Sequence, residues 1–140
     1  MIAAEFIRRW EECRLTAYLD RPGGVWTIGW GSTGNDVTEG VVWTQERADQ
    51  EFLKDLEESR KSVYKWVKVT MTDNQEVALT SFVYNLGEDQ FRKSTLLRMV
   101  NESKWVAAAL ELVKWHNDNG KKVRGLLRRR LAEASLLLEY

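Results

Sequence analysis

The chain has 140 residues, of which 30% are charged and 44% hydrophobic, and its 21 basic side chains balance its 21 acidic ones. This composition is typical of a folded domain with a hydrophobic core and excludes a disordered tail. A length of 140 residues suits a single domain. Because the net charge is zero, the protein has no overall electrostatic field that attracts polyanions, and we expect it not to bind nucleic acid.

The lone cysteine and the lone histidine, Cys13 and His116, restrict the chemistry further. One cysteine cannot form an internal disulfide, and the two residues together cannot build a zinc site. We therefore expect no metal and no cofactor. Charges interrupt the N-terminal stretch, which lacks the apolar run of a secretory signal, and no stretch approaches the roughly 20 apolar residues of a membrane span. We expect a monomer without stable membrane insertion.

The first predicted element is a short amphipathic helix over residues 2–13. Its apolar positions are Ile2, Phe6, Ile7 and Trp10, which recur at helical spacing. Such a helix carries Glu11 near its C-terminal end. Glu12 lies one turn after Arg8 and can pair with it.

A small β-structure is predicted between Tyr18 and Thr38. One proline and several glycines punctuate short β-favouring runs such as "VWTI" in this region. This alternation of turn residues and β-formers predicts an antiparallel hairpin or meander.

Two helices follow the β-region. Thr44 has the features of an N-cap, with Glu46 in the first turn, and opens a long helix that can connect two lobes. Its apolar positions are Ala48, Phe52, Leu56, Val63 and Val67. A second helix begins at Thr72, which has capping-box spacing to Gln75, and ends at Gly87. That helix is apolar on most of its surface, so we expect it at the centre of a core.

The remainder is predicted to be helical over about 94–101, 104–116 and 126–138, with polar connections such as "HNDNGKKVRG". Glu88, Asp89 and the asparagines around His116 are interpreted as loop residues. The chain as a whole predicts an α+β fold with a small β-containing part near the N-terminus and a helical part after it.

Two acids, Glu11 and Asp20, are separated by only eight residues. Hydrolysis of a glycosidic bond commonly requires one carboxylic acid that protonates the leaving oxygen and one carboxylate on the opposite side of the sugar. Trp10 and Cys13 flank Glu11, whereas Asp20 stands beside Arg21 and a glycine turn, so the two environments differ as such chemistry needs. The spacing alone also fits a solvated helix face followed by a turn aspartate.

The stretch "WEECRLTAYLD...GGVWTIGWGST" resembles the phage-type lysozymes, glycoside hydrolase family 24. The blocks "TDNQEVALTSFVYNLG", "FRKSTLLRMVN" and "KWHNDNGKKVRGLLRRRLAE" look like later blocks of that family in the same order. The resemblance implies one lysozyme-like domain over 1–140. It comprises a smaller β-containing lobe with the connecting helix over about 12–60, and a helical lobe from 1–11 and 61–140.

The resemblance also implies a function. The family's members cleave the β-1,4 bond between N-acetylmuramic acid and N-acetylglucosamine in peptidoglycan. Such an enzyme would be made in the host bacterial cytoplasm and would reach the cell wall through a separate membrane pore protein.

By the same resemblance Glu11 matches the catalytic acid, Asp20 the second carboxylate, and Thr27 the threonine that helps to hold the attacking water, with inversion at the anomeric carbon. The chain departs from the family in three places. Six residues separate Asp20 from Thr27 instead of the usual five. Ser32 replaces a histidine, and Glu12 replaces a small residue.

Further substrate contacts are predicted near the acids and around the C-terminal end of the second predicted helix. Trp26 and Trp30 lie on the turn beside the acids, and one of them is expected to be a core residue. Ser32 can form hydrogen bonds within the same turn. Asn85 and Gln90 are predicted to face the substrate groove whose opposite sides Glu11 and Asp20 would line.

The C-terminal region is basic. Its cationic residues are Lys121, Lys122, Arg124, Arg128, Arg129 and Arg130. One of Arg129 and Arg130 matches the family's C-terminal arginines and is expected to reach the acid pair. The cluster could attract anionic wall polymers or outer-membrane lipids, or it could be a solvated helix face with some internal ion pairs.

Two alternatives remain open at this point. The chain could be a catalytically weak or inactive module that binds peptidoglycan, or a structural protein whose acids are plain surface charges.

Overall fold

The structure, a computed structural model, describes residues 2–19, 24–118, 121–122 and 124–139. In chain order the elements are α1 (Ile2–Arg8), β1 (Arg14–Leu19), β2 (Trp26–Gly29), α2 (Gln45–Trp66), α3 (Asp73–Leu86), α4 (Glu88–Lys93), α5 (Thr95–Asn101), α6 (Trp105–Val113), β3 (Asn117–Asp118), β4 (Lys121–Lys122) and α7 (Arg124–Leu137). The contacts divide the chain into two units, one from Ala3 to Glu57 and the other from Glu58 to the C-terminal end of the described chain.

In the first unit, α1 is shorter than predicted. It ends at Arg8, and two further amides still bond to the carbonyl oxygen of Ile7: that of Trp10 at 2.9 Å and that of Glu11 at 3.2 Å. The helix ends early because the chain becomes extended at Arg14, where β1 begins four residues before the predicted β-region.

The predicted hairpin is present. β1 and β2 are antiparallel, with Tyr18 opposite Thr27, Leu19 opposite Trp26, and an irregularity between Arg14 and Tyr18. Backbone bonds also join β1 to the following loop, since Trp43 donates its N–H to the carbonyl oxygen of Leu15. One buried apolar cluster of this unit consists of Ala17, Ile28, Val37, Trp43 and Ala48.

The long helix α2 starts as predicted. Thr44 caps it, because its hydroxyl accepts the backbone N–H of Arg47 at 3.1 Å. All five predicted apolar positions, at 48, 52, 56, 63 and 67, are buried. The boundary between the two units falls inside this helix, after Glu57.

Helix α3 supplies the centre of the second unit. Thr72 and Gln75 form the predicted capping box, and Gly87 ends the helix with a φ of 92°. Such a positive φ is available to glycine without steric cost. The buried residues packed with α3 come from α2 and α4 to α7, and include Val63, Phe91, Leu96, Leu112 and Leu137.

Two loop predictions are wrong. Glu88 and Asp89 form the first turn of α4, which packs its buried Phe91 against Phe82. Asn117 belongs to the two-residue strand β3, which pairs with β4. Both elements are too short to produce a periodic pattern in the sequence, so packing against neighbouring helices decides α4, and pairing with β4 decides β3.

Within the described ranges we find no helix long and apolar enough to span a membrane. The α+β fold with a two-stranded sheet near the N-terminus is as predicted. The proposed lobe boundaries stay a prediction.

Candidate active site

Glu11 lies just beyond α1 and is half-buried. Its backbone is held by the hydrogen bond to Ile7, so the carboxyl group stands on a helix terminus and not on a free loop. The neighbouring Glu12 is exposed and pairs with Arg14 at 3.4 Å. The suggested pairing of Glu12 with Arg8 is therefore replaced by one with the following strand.

Thr27 lies in β2, opposite Tyr18 of β1. Its hydroxyl donates a hydrogen bond of 2.9 Å to the carbonyl oxygen of Val25, and its side chain is half-buried. Asp20, which follows β1 in the sequence, lies outside the described residues.

The turn after β2 is fastened to α2 by two carboxylates. The indole N–H of Trp30 donates to Asp49 Oδ1 at 2.8 Å, and the Gln45 amide donates to the same oxygen at 2.9 Å. Ser32, only 4% exposed, donates its hydroxyl to Asp55 Oδ2 at 2.7 Å. The hydrogen bonds from Trp30 and Gln45 hold the pKa of Asp49 below its ordinary value.

These contacts give Trp30 and Ser32 a structural role in the turn. Trp26 and Trp30 are both partly buried against the core of the first unit. The substrate contacts of Trp26, Trp30 and Ser32 stay a prediction.

In the second unit, Arg129 and Arg130 are buried in an ionic cluster with Glu133. Arg130 Nε lies 2.8 Å from Glu133 Oε1, and Arg129 Nε lies 3.4 Å from Oε2. The hydroxyl of Ser81 also donates to Glu133. Burial raises the pKa of Glu133, while the two guanidinium groups act in the opposite direction. The interpretation of the basic cluster as a solvated helix face is therefore wrong for Arg129 and Arg130, which are buried, whereas Arg128 is exposed. The internal ion pairs that this interpretation included are present between these two arginines and Glu133.

The other predicted substrate contacts lie in the same unit. Asn85 is half-buried near the end of α3, and its Oδ1 accepts a hydrogen bond of 2.7 Å from Arg130 Nη2. This bond fixes the orientation of the Asn85 amide. Gln90 is exposed on α4. Among the described residues, no group of acids, cysteines and histidine is arranged to hold a metal ion.

Residues 8–133 match the family model described as "Phage lysozyme". The chain is a member of the phage lysozyme family. It is 39% identical to an endolysin of Acyrthosiphon pisum secondary endosymbiont phage 1, covering 93% of this chain and 90% of that protein. It is 38% identical to the endolysin of Bacillus phage PZA, of which this chain spans about half, 51%.

The fold agrees with this assignment. The muramidase domain of SpmX from Asticaccaulis excentricus superposes with a TM-score of 0.87 at 36% identity, covering 99% of this chain and 96% of that one. The predicted lysozyme-like fold and the predicted family are thus confirmed.

The range that matches the phage lysozyme family model, residues 8–133, contains every residue predicted for the site. The roles of Glu11, Asp20 and Thr27 remain predictions, because the match concerns the family and not the individual side chains.

Sequence reasoning missed three acids that hold other side chains in place. Asp49 and Asp55 bind the turn after β2 in the first unit, and Glu133 pairs with Arg129 and Arg130 in the second. One signal was available for Glu133, which follows Arg130 by three residues and Arg129 by four, the spacing of helical ion pairs. For Asp49 the helical spacing to Gln45, four residues earlier, was a weak signal, but its contact with Trp30 joins residues 19 positions apart, and Asp55 contacts Ser32 across 23 positions.

Proposed function

We propose that this chain is a peptidoglycan hydrolase, a muramidase that cleaves the β-1,4 bond between N-acetylmuramic acid and N-acetylglucosamine. The match of residues 8–133 to the phage lysozyme family carries the proposal. The names of the relatives support it, since they are endolysins and a muramidase domain.

In the proposed mechanism, protonated Glu11 donates its proton to the glycosidic oxygen as the bond breaks. Asp20, ionised, stabilises the positive charge that develops on the sugar, and together with Thr27 it orients a water molecule on the opposite face. Attack from that face inverts the anomeric carbon, which NMR of the first-formed sugar anomer can detect.

The substrate is therefore bacterial peptidoglycan, and we expect a monomer that acts without nucleic acid or a cofactor. As in an endolysin, the protein would be made in the cytoplasm of the host bacterium. A separate membrane pore protein would then let it reach the wall.

Replacement of the proposed acid provides the test. We expect Glu11→Gln to lower the rate of wall digestion by about 10²- to 10⁴-fold, the usual contribution of general acid catalysis, and to leave the fold intact. Glu12→Gln is the matched control, because Glu12 is the adjacent, exposed glutamate and pairs only with the exposed Arg14 among the contacts described. Equal rates for the wild type and Glu11→Gln would remove Glu11 from this role.

The products of digestion identify the reaction. Purified sacculi should yield new reducing ends of muramic acid, whereas an anhydro-sugar would indicate a lytic transglycosylase. Sacculi that are bound but not cut would indicate a binding module, and the absence of both binding and cutting would indicate a structural protein.

A further inference from the structure

Arg8, the last residue of α1, is held by two aromatic rings. Its guanidinium carbon lies 4.6 Å from the ring centroid of Phe52 and 5.4 Å from that of Trp30. The Nε atom is buried and forms no hydrogen bond with any described residue. The faces of both rings attract this cation through their negative quadrupole.

The two rings belong to one assembly on α2. Phe52 and Trp30 contact each other at 5.9 Å between centroids, and Trp30 donates its N–H to Asp49. Asp49 and Phe52 are three residues apart and share one helix face. The negative charge of Asp49 acts together with the positive charge of Arg8, which also lowers the pKa of Asp49. Arg8 thus joins the end of α1 to α2 and to the turn after β2.

This junction adjoins the backbone that carries Glu11. The carbonyl oxygen of Ile7, the residue before Arg8, accepts the amides of both Trp10 and Glu11. The ring of Trp10 also packs edge-on against Phe6, at 6.2 Å. Because the amide of Glu11 is bonded to the residue before Arg8, rotation or fraying of the helix at Arg8 would displace Glu11.

We propose that Arg8 is a positioning residue for Glu11, acting through the last turn of α1. The inference rests on the proposed function, in which Glu11 delivers a proton to the glycosidic oxygen. Proton transfer depends steeply on the position of the donor, and a shift of about 1 Å in a reacting group can reduce the rate by about 100-fold. Binding of the sugar chain does not depend on that donor in the same way.

The test compares Arg8→Met with Arg8→Lys on soluble peptidoglycan fragments. We expect Arg8→Met to lower kcat by roughly 10- to 100-fold with KM within about twofold of the wild type. Arg8→Lys should recover part of the loss, because an ammonium group retains the attraction to the rings.

Two controls separate positioning from general loss of structure. Arg47→Met removes another arginine of the same unit that stacks on an aromatic ring, that of Trp43 at 4.7 Å, but Arg47 lies on α2 and forms ion pairs with Asp36 and Glu51. Val63→Ala lowers stability through a buried side chain of the second unit. Both variants should keep kcat within about twofold at temperatures where they are folded.

Amide hydrogen exchange of Glu11 gives a readout that does not require activity. Its protection should fall at least tenfold in Arg8→Met and stay unchanged in Arg47→Met. Unchanged kcat in Arg8→Met, or unchanged Glu11 protection, would overturn the inference. A wild-type protein that releases no reducing ends would instead refute the proposed function, while the exchange measurement still decides whether Arg8 holds Glu11.

Discussion

Three acidic side chains stabilise this protein through specific hydrogen bonds or ion pairs. Asp49 and Asp55 hold the polar atoms of the turn after β2, and Glu133 neutralises buried guanidinium groups. A buried charge is tolerated only when it is paired and hydrogen-bonded. Removing one member of the Glu133 cluster would therefore leave an unpaired buried charge and lower the free energy of unfolding. Asp49 is the most suitable of the three for a test, because it is only half-buried and the pKa of its carboxyl group is lowered.

We expect the stabilising effect of Asp49 to depend on pH. Its pKa in the folded protein lies below the ordinary value of 3.8 because Trp30 and Gln45 donate to its ionised form. The contribution is therefore complete above the unfolded pKa and disappears as the pH falls through the folded pKa. Asp49→Asn should lower the free energy of unfolding by about 1 kcal/mol or less at neutral pH, since solvent screens the charge.

Urea unfolding at pH 7 and at pH values below 3.8 measures this difference. The control is Asp89→Asn, which removes an exposed aspartate that pairs with Arg92. A stability difference for Asp49→Asn that grows as the pH falls would contradict the expected sign.

At the scale of elements, the helix termini determine where the chain changes direction. The capping box at Thr72 starts α3, and Gly87 ends it and immediately precedes α4. Because Gly87 has a φ of 92°, its backbone conformation is unfavourable for a residue with a Cβ atom. The space itself is open, since a Cβ added there would meet no atom within 4 Å apart from those of the adjacent residues.

Two glycine substitutions should therefore have opposite effects. Gly87→Ala should destabilise the protein by about 1–2 kcal/mol through backbone strain alone. Gly125→Ala, in the first turn of α7 and also in open space, should raise stability by about 0.5 kcal/mol because alanine favours the helix. Thermal unfolding of both variants measures the difference, and destabilisation by Gly125→Ala would contradict this account.

At the scale of the whole molecule, the buried side chains are distributed unevenly. The core of the second unit surrounds α3, in which residues 77–83 are all buried. The sheet of the first unit has only two strands and a smaller core. Local opening requires the least free energy where few apolar contacts protect the backbone bonds.

Amide hydrogen exchange should therefore be slowest in α3 and faster in β2. Within residues 77–83 we expect exchange at the rate of global unfolding, and at Trp26–Gly29 exchange through local opening, because two-stranded sheets are marginal by themselves. Exchange measured by NMR at several urea concentrations distinguishes the two regimes. Equal protection of the two segments would show that the chain opens only as one unit.

Local patterns in the sequence were sufficient for much of this protein. The caps at Thr44 and Thr72, the helix-ending Gly87 and the apolar repeat of α2 follow from interactions between residues at most seven positions apart. The ordered motifs indicated the family, and with it Glu11, Asp20 and Thr27 as the candidates for catalysis. Short elements such as α4 lacked that periodicity and were missed.

Only the tertiary structure decided which charges are buried and what they contact. Arginines followed by an acid three or four residues later can lie on a solvated helix face or be buried, and the sequence pattern does not distinguish the two cases. Arg129 and Arg130 are buried together with Glu133. Likewise, Arg8 stacks on rings 22 and 44 residues away along the chain. Such contacts depend on how separate elements pack, because burial and pairing are properties of the assembled chain and not of its local periodicity.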